Sequence, residues 1–138
     1  MKSKVRLYLT VACLIVLFDL AGSLASRVLH FDYGSLTVGS LFLYGVSGYM
    51  AFRYHRIVGG LLAGLMAGFC DSTVGWALST AIHPYMRYPA PRLTVFVVSV
   101  TVVFVTLVGG FFGFTGAVIA KGITLLQEGE PGQTPSSP

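Results

Sequence analysis

From Leu7 to Ser26 the chain runs through twenty consecutive residues with one charge among them, Asp19. A helix rises about 1.5 Å per residue, so this run is long enough to cross the roughly 30 Å hydrocarbon core of a bilayer. Further apolar runs follow, and the spacing predicts four spans at about 5–26, 36–52, 57–82 and 93–120. The expected fold is therefore all-α, a four-helix transmembrane bundle occupying residues 1–122. Composition agrees: 54% of the 138 residues are apolar and 10% are charged, against roughly 25% charged in soluble domains. The last stretch, 123–138, ends in EGEPGQTPSSP. It has little to bury and is expected to be a disordered polar tail.

The N-terminal run also has the charge pattern of a signal peptide, with Lys2, Lys4 and Arg6 ahead of it and Ser23-Leu24-Ala25 as a cleavage site. Its length and its counterpart later in the chain favour a retained helix. The net charge of +4 does not point to nucleic acid. All nine basic residues fall near the ends of apolar runs, where they report topology. Lys2, Lys4, Arg6, Arg53, Arg56 and Lys121 fall on one side, and Arg27, Arg87 and Arg92 on the other. That bias places both termini in the cytoplasm and suggests a plasma or bacterial inner membrane. Cys13 and Cys70 fall inside apolar spans and read as buried, reduced thiols.

An internal repeat adds detail. Phe18–His30 (FDLAGSLASRVLH) resembles Cys70–His83 (CDSTVGWALSTAIH): Asp19 matches Asp71, and after a one-residue shift Gly22, Ser26 and His30 match Gly75, Ser79 and His83. The following spans correspond through Leu36-Thr37-Val38 with Leu93-Thr94-Val95, and Gly45–Gly48 with Gly113–Gly116. The expectation is two tandem two-helix hairpins, about 5–56 and 57–122, related by an axis along the membrane normal.

The residues able to carry chemistry are few. Asp19 lies about 20 Å along its span from Arg6, and Asp71 a similar distance from Arg56. At about 100° per residue Asp19, Ser23, Ser26 and His30 share one helix face, and Gly60, Gly64, Gly68, Asp71, Gly75 and Ser79 another. An ionisable group at that depth is expensive and is a functional candidate by default. Asp19, Asp71, Ser23, Ser26 and Ser79 are thus the proton or cation candidates; the competing reading has each acid bonded to hydroxyl or backbone across a helix contact. Gly60, Gly64, Gly68 and Gly75, with Gly109 and Gly113, allow close helix approach. The pair Gly109-Gly110 is also where the long last span could bend. His30 and His83 read as polar caps at the membrane interface. Neither they nor the cysteines have metal-ligand spacing, so no metal or cofactor is expected.

Enzymatic readings fit poorly. Gly45-Val46-Ser47-Gly48 resembles the nucleophile motif of rhomboid proteases, but no histidine lies at the depth of Ser47. Gly68-Phe69-Cys70-Asp71 departs from the motif of presenilin-like aspartyl proteases, and the chain has no PAL segment. Size, four spans, an acid in the first span, and Tyr44 and Tyr49 in the second are distantly similar to the small multidrug resistance transporters, over the first half of the chain only. That analogy implies proton-for-cation exchange at the first-span acid. Here the acid is aspartate and not glutamate, and a second acid, Asp71, is present. The leading expectation is a non-enzymatic multi-pass membrane protein in contact with lipid, self-associating or joined to a membrane-protein partner. The alternative is a proton- or cation-coupled small-solute transporter or channel using the paired aspartates.

Overall fold

The computed structural model describes residues 2–87 and 94–128; the side chains of residues 2–4 and of Glu128 are outside the description. Helix α1 covers Lys2–Leu29, a 3₁₀ turn Tyr33–Leu36, α2 Thr37–Cys70, a π-helical turn Asp71–Gly75, α3 Trp76–Ile82 and α4 Val95–Glu128. There is no strand among the described residues. Three helical segments are long and apolar enough to cross a membrane: Val5–Leu29, Tyr33–Ile82 and Val95–Gln127.

Four separate helices were expected and three long segments are found, because the spans placed at 36–52 and 57–82 belong to one segment. That segment does not run straight. His55 (φ −140°, ψ 21°) and Arg56 (φ 54°, ψ −144°) leave helical geometry, and the chain turns back on itself there. In a straight helix Gly48 and Gly60 would stand about 18 Å apart. Here a Cβ on Gly60 would lie 3.0 Å from the Gly48 carbonyl oxygen. We call 37–54 and 57–70 the first and second arms of α2.

The last helix has a sequence that would be a poor helix in water. VFVVSVTVVFVT is dominated by β-branched and aromatic residues, which lose side-chain freedom in a helix. An apolar surrounding removes water as an alternative partner for the backbone, so intra-segment hydrogen bonding decides instead. Helix α4 is one element through Gly109-Gly110, where a bend was expected, and it extends to Glu128, into the stretch expected to be tail. Residues 129–138 of that tail lie outside the described residues, as do Arg92 and Leu93.

Glycines set how closely these elements pack. A Cβ on Gly64 would fall 2.1 Å from the Gly109 oxygen, and one on Gly113 would fall 2.4 Å from the Gly60 oxygen. On the other arm, a Cβ on Gly48 would fall 1.9 Å from the Gly113 oxygen, and one on Gly116 2.0 Å from the Gly45 oxygen. The obstacles are main-chain atoms, so the two arms and α4 touch backbone to backbone, a contact only glycine permits. Helix α1 packs against α2, the π turn and α3, but not against α4. Its contacts use larger groups, with Phe18 over Gly39 and Leu36 over Gly22.

Helices α1 and α3 end alike, on His30 (φ 56°) and His83 (φ 55°), both left-handed. Pro84 follows His83, disfavouring further helix at the preceding residue. The ends are tied together: Arg27 Nη1 donates to the Ile82 carbonyl at 2.8 Å, and the Tyr33 N–H donates to the Tyr85 carbonyl at 3.0 Å. Cys13 is exposed on the outer face and Cys70 half-buried, so the expected burial of both thiols is not found. The 100° helical period turns Cys13 away from the face carrying Val11, Ile15 and Asp19.

Candidate functional site: a carboxyl pair inside the bundle

The second arm of α2 ends in a π turn, and that turn carries Asp71. The Trp76 N–H reaches the Asp71 carbonyl, five residues back, as well as that of Thr73. Neighbouring hydroxyls bond the carbonyls of the preceding turn. Ser72 Oγ donates to the Gly68 carbonyl at 2.7 Å, and Thr73 Oγ1 to the Phe69 carbonyl at 2.6 Å. Short polar side chains beside glycine thus make the irregular turn affordable. This turn interrupts the span expected as one helix over 57–82.

Asp19 stands on α1, 3% exposed. Its carboxyl meets that of Asp71 over Gly75: a Cβ on Gly75 would lie 1.9 Å from Asp19 Oδ2 and 3.2 Å from Asp71 Oδ1. Glycine at 75 is therefore what leaves room for the pair. The Tyr44 hydroxyl, from the first arm of α2, donates to Asp71 Oδ2. The Tyr33 hydroxyl, at the 3₁₀ turn, lies beside Asp19, Ser23 and Ser79. Asp19 Oδ2 and Ser23 Oγ are buried without a hydrogen-bond partner among the described residues.

Asp19, Asp71, Tyr33 and Tyr44 line one cavity of about 210 Å³, whose far wall is Phe104, Val105 and Val108 of α4. That is room for several water molecules. Gly34 and Thr37, also on its wall, are exposed, so the cavity leads from the 3₁₀ turn inward to the carboxyls.

The other candidates separate into distinct roles. Ser26 Oγ donates to the carbonyls of Phe31 (2.7 Å) and Tyr85 (3.2 Å), and Ser79 Oγ to Trp76 (2.9 Å). Both are buried and serve backbone, and neither lines the cavity. The His30 ring tilts against Tyr85 at 6.0 Å, and His83 Nδ1 lies 3.1 Å from the Ala81 carbonyl. Both histidines stay at the exposed end, away from the carboxyls. Gly60, Gly64, Gly68, Gly109 and Gly113 form the seam between α2 and α4, whereas Gly75 belongs to the carboxyl site.

Tyr33 and Tyr44 were not among the expected site residues. A signal for Tyr44 exists: Ser40, Tyr44, Ser47, Gly48 and Ala51 are the buried residues of the first arm and recur at helical spacing. One phenol in a stripe of small residues faces the interior and needs a partner. Tyr33, in the connection between spans, has no such pattern.

Two carboxyls and two phenols lining one recess can share a proton or replace part of a cation's hydration shell. No cluster of three or more His, Cys, Asp or Glu occurs among the described residues. Compared with protein-family models, curated proteins and solved structures, the chain matches none.

Proposed function

We propose that this chain is a multi-pass membrane protein that moves a proton or small cation by way of Asp19 and Asp71, as part of a coupled carrier or channel. The observation that carries the reading is the meeting of two intramembrane carboxyls on the wall of a cavity that leads outward. Carboxyls held only for packing would be sealed against hydroxyls or backbone. Asp71 accepts from the Tyr44 hydroxyl, but Asp19 Oδ2 is buried without a partner among the described residues, and the hydroxyls of Ser26 and Ser79 are committed elsewhere.

In this reading the chain crosses the bilayer four times. The 50 residues of Tyr33–Ile82 would be about 75 Å long if straight, far more than one crossing needs. The reversal at His55–Arg56 divides them into two crossings, which returns residue 128 to the side where α1 begins. The tandem-hairpin reading gains support from the matched left-handed ends at His30 and His83, and from the face-to-face meeting of the matched aspartates. Because the pair is complete within one chain, the mechanism does not require a second copy.

Protonation of one carboxyl would let the two share a proton across their contact, relieving like-charge repulsion. A cation entering from the 3₁₀ turn would compete for the same oxygens, and that competition is the elementary step of coupling. The test is pH-driven flux into liposomes containing the purified chain. Asp19→Asn and Asp71→Asn should fold and abolish flux. If the wild type carries neither protons nor cations across several pH values, the assembly reading replaces this one.

A further inference from the structure

We propose that the end of the bundle at His55–Arg56 binds the phosphate of an anionic phospholipid. This rests on the reading that the helices cross a membrane, but not on the carboxyl pair.

A second cavity, about 810 Å³, lies between the reversal of α2 and the last turns of α4. Arg53, Arg56 and Lys121 line it, and all three are exposed. No acidic side chain is on its wall. Of the acids with described side chains, Asp19 and Asp71 are at the first cavity, and Asp32 is at the opposite end, where its Oδ1 accepts from the Arg87 N–H. Three cations thus converge from two elements, with no acid among the described residues that line the cavity.

The backbone adds a second observation. Arg56 holds φ 54°, a conformation that costs an arginine energy and a glycine almost none. This chain uses glycine freely, with 17 in all, yet places a cation at the reversal. What the arginine contributes is its side chain.

The rest of the wall selects among anions. Val58 and Leu125 are 63% and 57% exposed, and with Phe52 and Ile57 they flank the cations with apolar surface. Free phosphate would leave that surface unused, whereas a phospholipid places its phosphate on the guanidinium groups and its acyl chains along these side chains. Basic recesses between helices at a cytoplasmic face suit this chemistry.

The test reconstitutes the full chain in mixed phosphatidylglycerol and phosphatidylcholine vesicles, extracts it gently and measures the lipid retained. Phosphatidylglycerol should be enriched over the bulk mixture. Lys121→Gln, within the continuous α4, should lower the enrichment about fivefold, in line with one surface cation. Arg56→Gly, which relaxes the reversal, should do the same while leaving the chain folded. Exchanging Arg53 for lysine and Lys121 for arginine should preserve enrichment. Retention of both lipids in their bulk ratio, or enrichment that survives Lys121→Gln and Arg56→Gly together, would overturn the site. So would inorganic phosphate binding to the detergent-solubilised chain with no lipid enrichment. Release of the chain from vesicles by alkaline washing would instead refute the membrane reading itself.

Discussion

Replacing Gly75 by alanine would test the meeting of the carboxyls directly. The new Cβ would fall 1.9 Å from Asp19 Oδ2 and 2.8 Å from its Cγ. Non-bonded contacts settle near 3.5 Å, so the carboxyl must retreat by about 1.5 Å. Asp19 can do so by leaving its rotamer, at about 0.5–1.5 kcal/mol. Alanine returns about 0.8–1.0 kcal/mol of helix propensity. The two nearly cancel, so Gly75→Ala should unfold within about 1 kcal/mol of the wild type. Gly64→Ala gains the same propensity, but its Cβ would meet the Gly109 oxygen at 2.1 Å and the Gly113 Cα at 2.8 Å. Those atoms are backbone, so α2 and α4 must separate, which costs about 1–3 kcal/mol or more. The assay pairs unfolding in detergent with pH-driven flux in liposomes. Gly75→Ala should stay folded and lose flux, on the order of 10²-fold if the displaced carboxyl behaves like a group moved 1 Å in a catalytic site. Gly64→Ala should lose stability first. Equal destabilisation by the two variants, or full flux in Gly75→Ala, would refute a working site assembled over Gly75.

Other consequences are open to simpler tests. Tyr44→Phe deletes the donor to Asp71 with little change in volume, and should cost about 1.5–3 kcal/mol if Asp71 is ionised and about 0.5–1.5 if it is neutral; unfolding as stable as the wild type would argue against the bond. Arg56→Gly should raise the unfolding midpoint by an amount equivalent to about 1–3 kcal/mol, since it removes a left-handed arginine; a lowered midpoint would mean that the side chain holds the reversal together. In a background without Cys13 and Cys70, single cysteines at Ser35 and Thr124 should be labelled from opposite sides of sealed vesicles, and cysteines at Tyr54 and Thr124 from the same side. Labelling of Tyr54→Cys and Thr124→Cys from opposite sides would exclude the reversal as a membrane hairpin.

Much of the helical architecture is written locally. Long runs without charge make membrane-crossing helices legible, because the cost of burying charge depends on each residue and its depth. The glycine ladders at 60, 64 and 68, and at 109 and 113, signal close approach for an equally local reason: absence of a side chain is visible in the sequence itself. Asp19 and Asp71 stand out on the same ground. Less legible was the path of the second segment. Tyr54-His55-Arg56 marks a polar interruption, but the same letters fit a loop between two helices or a sharp reversal within one segment.

What tertiary structure alone decided is which faces meet. Helical period places Asp19 and Asp71 each on an inward face, but the rotation of α1 against α2 comes from contacts distant in sequence, including Phe18 over Gly39 and Leu36 over Gly22. Those contacts bring the two carboxyls together, and the fold-back of α2 places Tyr44 opposite Asp71, 27 residues later. The π turn belongs to the same class, since its irregular backbone is braced by the hydroxyl of Ser72, buried in the packed interior, and by that of Thr73. The sequence by itself determined that helices would form and that two acids would lie within them. Packing decided that the acids would meet beside a cavity, because hydropathy is a property of each residue and proximity a property of the assembled whole.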